Sequence, residues 1–427
     1  MQFALALPRF FLSPSSSFFA SSASSSISLF RRPFSAKCAT SPAAMAYEHE
    51  LSIATKAVSL ACRLCQKVQK GLLAAETQEK SDKSPVTVAD YGSQALISWA
   101  LNEELPQGTF SLVAEEDSEE LKQDQGASML DRITQLVNET LALEKRIDAP
   151  FLSKEQVLLA IDRGRSEGGS VGRHWVLDPI DGTRGFVRGD QYAVALGLLD
   201  QGEVVVGVLG CPNLPTNLIG PEALVSPTES SIGCLFAARK GAGTTVKSID
   251  GSIQPQKISV RNLEDPSLAN FCESYESAHS MQNVTAEIAK ILGVVSPPLR
   301  IDSQAKYGAM ARGDAAIYLR FPHPGYREKI WDHAAGCIII KEAGGLVLDA
   351  AGNPLDFSKG RYLDIASGII STNPQLMPAL LAAVQAALQK EHHHGNYFKT
   401  HSLQEFDLDE QRAKKRRRER KSSKNLV

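Results

Sequence analysis

The chain has 427 residues, 43% of them hydrophobic, and a formal net charge of −2. That length carries one large or two modest domains with ample core, and no uninterrupted apolar run is long enough to cross a bilayer. The small net charge hides two basic ends: residues 1–47 hold Arg9, Arg31, Arg32 and Lys37 with no acid, and residues 412–427 hold nine basic side chains against Glu419. The body between them is acidic, which suits cations and argues against a nucleic-acid surface. The seven cysteines are scattered and form no zinc or secreted-disulfide framework.

Residues 1 to about 44 are Ser-rich and acid-free, and they end in small residues near Ala39 to Ala44. This is a transit-peptide composition for the chloroplast, with the mitochondrion as the alternative and a secretory signal ranked behind both. Apolar residues at Ile53, Ala57, Leu60, Ala61, Leu64, Cys65 and Val68 predict a helix that Gly71 could stop. A second helix is expected through Leu96, Trp99 and Leu101, with Asp90 at its start, where an N-cap is the ordinary role. Ser111 to Ala114 reads as a short strand ending in Glu115, Glu116 and Asp117, which alone would be an exposed acidic turn. Residues 118–170 predict amphipathic helix followed by a mobile Gly-rich loop, Arg163 to Gly172.

His174 to Leu177 reads as a buried strand broken into a tight turn by Pro179 and Gly182. Asp178 and Asp181 then stand at a strand's end and can share one cation, with the Ile180 carbonyl as a further hard oxygen. No Cys or His stands at ligand spacing nearby, so the chemistry is that of magnesium. Gly182 and Thr183 offer N–H groups and a hydroxyl suited to a phosphate oxygen. Tyr192 to Leu199 and Glu203 to Leu209 form a predicted hairpin around Asp200-Gln-Gly202. An antiparallel pair of β-rich runs could bring Cys211 and Cys234 together as a regulatory disulfide. Asp332 opens an apolar helix ending at Gly344-Gly345, where it could be only the N-cap. A last helix spans about Pro374 to Gln389. The Lys/Arg run that follows reads as a solvated tail, in preference to the sharper reading of the same run as a nuclear signal.

The expected division is a disordered leader over 1–46, an N-terminal α+β part with the metal-site loops over 47–200, a C-terminal α/β part over 201–389, and a basic disordered tail over 390–427. If the fold converges Glu115, Asp178, Asp181 and Asp332, they make an oxygen-only site for two or more Mg²⁺. Magnitude favours that reading. Enzymes accelerate phosphate-monoester hydrolysis by up to ~10²¹-fold, and a lone general base gives only ~10²–10⁴, which leaves metal ions to hold the oxyanions.

Asp178-Pro-Ile-Asp-Gly-Thr183, Val113-Ala-Glu-Glu-Asp117 and Trp331-Asp-His-Ala-Ala-Gly336 resemble the three signature segments of the inositol-monophosphatase-like, lithium-sensitive, Mg²⁺-dependent phosphatases. The resemblance covers about residues 48–388. Asp181 to Tyr192 and the insert 118–170 are similar to the 3′(2′),5′-bisphosphate nucleotidase branch. It implies an α/β fold, layered α-β-α-β-α with mixed sheets. It also implies Glu115, Asp178, the Ile180 carbonyl, Asp181 and Asp332 as ligands of two or three Mg²⁺. Asp90 becomes the proton acceptor, paired with Thr183, and the Gly182 and Thr183 N–H groups hold the departing phosphate. His279, Ser303, Lys306 and Arg320 match nucleotide-binding positions. Lys306 and Arg320 suit a retained 5′-phosphate, a reading preferred here to the ordinary one of a surface charge pair.

The activity implied is removal of the 3′-phosphate from 3′-phosphoadenosine 5′-phosphate and its phosphosulfate analogue, a sulfur-assimilation reaction. The enzymatic alternative is an inositol phosphatase acting on mono- or polyphosphates, and the non-enzymatic one is a nucleotide-binding regulator. No membrane or nucleic-acid partner is expected, and the chain could be a monomer or a homodimer.

Overall fold

The computed structural model describes residues 46–75, 84–106, 110–143, 151–219, 232–275, 281–322, 326–365 and 368–393. The predicted leader, His279 and the basic tail beyond 393 lie outside them.

Two long helices open the chain, α1 (Glu48–Ala75) and α2 (Ser84–Glu104). The α1 stripe is the one its spacing predicts, with Ile53, Ala57, Ala61, Leu64 and Cys65 all buried. Gly71 does not stop α1; a mid-helix Gly costs only about 1 kcal/mol, less than a helix packed along its length gains. Helix α2 begins six residues before Asp90, so Asp90 is no N-cap but a buried helical residue. Strand β1 (Leu112–Ala114) is followed by α3 (Ala127–Leu143) and α4 (Lys154–Asp162), the latter started by a Ser153/Gln156 capping box.

Strand β2 (Arg173–Asp181), the short helix α5 (Thr183–Arg188), and β3 (Ala193–Asp200), β4 (Glu203–Pro215), β5 (Ile232–Arg239), β6 (Gly243–Ser248) and β7 (Gln256–Ile258) follow. Seven strands form one sheet in chain order, with β1 parallel to β2 and every later pair antiparallel. The hairpin expected at Asp200-Gln-Gly202 joins β3 to β4. Cys211 and Cys234 are direct partners across β4 and β5; both are buried free thiols. The single C-x-x-C spacing, Cys62 and Cys65, lies buried on α1, where Cys65 Sγ meets Ser93 Oγ at 3.1 Å.

The chain continues through β8 (Phe271–Glu273), α6 (Gln282–Leu292), β9 (Leu299–Arg300), α7 (Ala305–Arg312), β10 (Ile317–Arg320), β11 (Glu328–Lys329) and α8 (Ala334–Glu342). It closes with β12 (Leu346–Asp349), β13 (Tyr362–Leu363), β14 (Ile369–Thr372) and α9 (Met377–His393). A second, mixed sheet runs β12-β14-β10-β8-β9, and β11 pairs with β13.

Three apolar clusters define the layers. Helices α1 to α4 pack on one face of the large sheet through Trp175, Leu177, Leu196 and Val208. Its other face, through Val176, Ala195 and Phe236, packs on α7 and α8, which also touch the second sheet at Cys272 and Tyr318. Helices α6 and α9 cover that sheet's far side. The order is therefore α-β-α-β-α. Gly207 lets α8 approach: a Cβ there would sit 2.4 Å from Ile338 and 2.7 Å from the Ala335 carbonyl. The Gly-rich loop after α4 is pinned, contrary to expectation: Gly164 O accepts from Ala114 N at 2.9 Å and Ser166 N donates to Leu112 O at 3.0 Å.

Candidate active site

Side chains alternate along a strand, so Asp178 and Asp181, three apart, should point to opposite faces of the sheet. A β-bulge changes this. Asp178 pairs with Ala195 and Asp181 with Ala193, three steps on β2 against two on β3. The extra residue turns both carboxylates into one cavity. Pro179 falls inside the irregularity, where its missing N–H costs no ladder bond. Glu115 arrives by register: Ala114 pairs with Leu177, so the next residue of each strand brings Glu115 beside Asp178.

Asp332 completes the group from the turn Ile330–Asp332 that precedes α8. The helix starts at Ala334, so Asp332 is not its N-cap. Glu115, Asp178, the Ile180 position, Asp181 and Asp332 line one cavity of about 430 Å³.

Electrostatics register the crowding. Glu115 reaches solvent at the cavity wall, and partial desolvation there, then Glu116 and Asp181, raises it to about 7. Burial raises Asp332 to about 7 despite Arg320, with Asp181 adding to the rise. Asp178 is also held well above the ordinary carboxylate range, through burial and then Glu115, Asp181, Asp332 and Asp90. Asp178 Oδ1 is buried without a hydrogen-bond partner. A buried carboxylate oxygen without a hydrogen-bond partner, among three other acids, suits a cation, and an all-oxygen donor set fits Mg²⁺.

The opposite wall comes from the turn before α7. Ser303 sits in the left-handed region at φ 65° and Gly182 faces it at φ 88°; a Cβ on Gly182 would lie 2.7 Å from Ser303 Cβ. Gln304 N donates to Asp181 Oδ2 at 2.6 Å, and Gln304 Nε2 donates to Trp331 O at 2.9 Å. One residue thus ties two acid-bearing segments. Lys306 is buried at the cavity and donates to Ser274 Oγ at 3.0 Å and Ile301 O at 3.3 Å. Burial lowers its pKa. Helix α5 is anchored by Phe186 packed edge-on against Tyr192, 4.9 Å between centroids, and by Arg188 Nη2 donating to Asp302 Oδ2 at 2.6 Å.

Arg320 also lines the cavity, with Nε donating to Glu328 Oε1 at 2.6 Å and Nη2 lying 3.9 Å from Asp332 Oδ2. His333 Nε2 bonds Glu328 Oε2 at 2.9 Å, and Tyr307 OH bonds His333 Nδ1 at 2.8 Å. Burial works against the Glu328 charge, yet Arg320 and His333 outweigh it and hold Glu328 at about 2. Glu328, Asp332 and His333 offer ligand atoms within 4.8 Å of one another. Glu328 and His333 are already engaged with Arg320 and Tyr307, so they orient Asp332's surroundings.

Asp90 lies behind the cluster and is not among the cavity-lining residues; burial, Glu116 and Glu115 raise its pKa. Thr183 lines the cavity, its Oγ1 donating to Ile180 O at 3.4 Å. Ser303, Lys306 and Arg320 share the cavity with the acids. Gln304, Tyr326 (OH to Asp332 Oδ2, 3.2 Å) and the Glu328–His333–Tyr307 chain were not foreseen. The one available signal was polar Glu328 and His333 flanking Trp331-Asp332.

Fold and cavity together define a phosphatase of the inositol-phosphatase type. The profile of the inositol monophosphatase family matches residues 46–389, and the chain belongs to that family, whose members depend on metal, typically Mg²⁺. It is similar to a 3′(2′),5′-bisphosphate nucleotidase of Oryza sativa, 60% identical over 346 residues, covering 81% of this chain and 96% of that protein. It is equally similar to 3′(2′),5′-bisphosphate nucleotidase 1 of Arabidopsis thaliana, at 60% over 347 residues, covering 81% and 98%. Among solved structures, inositol monophosphatase-II of Staphylococcus aureus aligns at 17% identity and TM-score 0.49, covering 80% of this chain and 97% of that one.

Proposed function

We propose that the chain removes the 3′-phosphate of 3′-phosphoadenosine 5′-phosphate, releasing AMP, and acts likewise on 3′-phosphoadenosine 5′-phosphosulfate. The observation that carries this reading is one cavity holding both a four-carboxylate cluster and two cationic side chains, Lys306 and Arg320. The names of the 60%-identical relatives support it.

When bound, Mg²⁺ neutralises phosphoryl oxygens and acidifies water. Glu115, Asp178, Asp181, Asp332 and the Ile180 carbonyl hold two or three such ions in this reading. Thr183, which lines the cavity, orients the attacking water, and Asp90, set behind the cluster, is read as the eventual acceptor of its proton through the Thr183 hydroxyl. The Gly182 and Thr183 N–H groups receive the departing phosphate. Ser303, Lys306, Arg320 and His279 hold the nucleotide. A phosphate beside Lys306 favours its charged form, which burial alone disfavours. Arg320, braced by Glu328, presents its remaining N–H groups in a fixed plane.

Purified protein with Mg²⁺ is expected to release phosphate from the bisphosphate nucleotide far faster than from inositol 1-phosphate, and Li⁺ is expected to inhibit it. The reverse preference supports the second reading, an inositol phosphatase, which the shared family favours. The leader 1–46 is read as a plastid transit peptide, with mitochondrial import as the alternative, and a fluorescent fusion distinguishes them. Cys211 and Cys234 are read as a redox pair. Among the described residues no helix is long and apolar enough to cross a membrane.

A further inference from the structure

We propose that Arg361 is a positioning residue that fixes the separation between Glu115 and Asp332; the inference rests on the metal reading of the cavity. Arg361 lies outside the cavity lining and 247 positions from Ala114, yet it grips the backbone beside both acids. Its carbonyl accepts from Ile330 N at 3.1 Å, two residues before Asp332. Its guanidinium lies over the Trp331 ring, 4.8 Å from the centroid. Nη2 of the same group donates to Ala114 O at 2.5 Å, directly before Glu115. Nη1 donates to Ser166 O at 2.9 Å and to Gly164 O at 3.3 Å, and Gly164 O also receives Ala114 N.

A planar guanidinium with several donors can satisfy three carbonyls and stack on an indole at once, and an ammonium cannot. Crowded carboxylates push their segments apart, whereas Mg²⁺ demands near-ideal octahedral spacing. A brace between the two backbones, set behind the acids, therefore acts on cation affinity. Carboxylates of Glu167, Asp117 and Glu115 face the guanidinium as well, but its hydrogen bonds go to carbonyls, so its task is geometric.

The test is calorimetric titration of MgCl₂ into the full-length, substrate-free protein as wild type, Arg361→Lys and Arg361→Ala, with thermal melts in EDTA alongside. The Lys variant keeps charge and stem; it is expected to stay folded and to bind Mg²⁺ about 10- to 100-fold more weakly. Guanidinium ion added to the Ala variant is expected to recover part of that loss and to leave wild type unchanged. Wild-type Mg²⁺ affinity in a folded Arg361→Lys, whatever its melting temperature, overturns the inference. Absence of Mg²⁺ binding by wild type itself removes the metal reading beneath it.

Discussion

Gln304 donates its backbone N–H to Asp181 Oδ2 at 2.6 Å, and its side-chain amide donates to the carbonyl before Asp332. The two acids lie 151 positions apart in sequence, and this one residue holds both of their segments in the cavity. The interaction also lowers the freedom of Asp181 to turn away from its neighbours, so the acids meet a cation already arranged.

Because the four acids crowd one another, removing one charge is expected to stabilise the metal-free fold while ending function. Asp178→Asn should raise metal-free stability at pH 8 by about 1–3 kcal/mol and abolish turnover and stabilisation by Mg²⁺. Urea unfolding in EDTA, with phosphate-release assays, checks both. Lower metal-free stability together with retained turnover contradicts the arrangement.

The same crowding sets a pH dependence. Glu115 and Asp332 sit at about 7 in the fold, above their ordinary carboxylate values. Between about pH 4 and 7 the metal-free folded state therefore holds more protons than the unfolded chain. Their contribution to stability is full below that window and is lost as pH rises through 7. Mg²⁺ displaces those protons, so the difference in melting temperature between Mg²⁺ and EDTA should grow from pH 5 to pH 8. A difference that shrinks over that range contradicts the cluster.

Glu328 is expected to be structural and orienting. Glu328→Ala strands the partly buried Arg320 charge and leaves buried His333 without its carboxylate partner, and should cost about 3–5 kcal/mol in urea unfolding; a loss under about 1 kcal/mol would show the pair to be slack. Arg320→Ala should raise KM for the bisphosphate nucleotide more than it harms inositol phosphate turnover, and equal losses would mean that Arg320 does not read the 5′-phosphate.

Cys211 and Cys234 are directly opposed on antiparallel strands, within the Cα range that a disulfide spans. Burial raises both thiols, Cys234 to about 11, so oxidation of the native protein should be slow. Diamide treatment followed by peptide mapping is expected to give the 211–234 cross-link, and its absence after unfolding-refolding under oxidant would reject the pair.

Much of this was legible in the sequence, for physical reasons that can be named. The α1 stripe and the β3–β4 hairpin follow from periodicity, and the layered fold followed from the resemblance of three short segments. The bulge was not legible: Asp-Pro-Ile-Asp has strand parity that sends its acids apart, and only the β3 register corrects it. The ordinary reading of Asp90 as a cap fails because the helix start lies two turns earlier, at a Ser84-Pro85 pattern common at helix N-termini. Arg361 and the Glu328–His333–Tyr307 chain act on partners that folding alone brings near, and neither periodicity nor motif spacing encodes such meetings.

The central claim is that acids from β1, β2 and the turn before α8 share divalent cations. Crystals soaked in Mn²⁺, a redox-quiet stand-in with an anomalous signal, test it most directly. The account predicts anomalous peaks bounded by Glu115, Asp178, Asp181 and Asp332, with carboxylate oxygens in direct coordination. Peaks only at other carboxylates, or none beside Asp178, would contradict it.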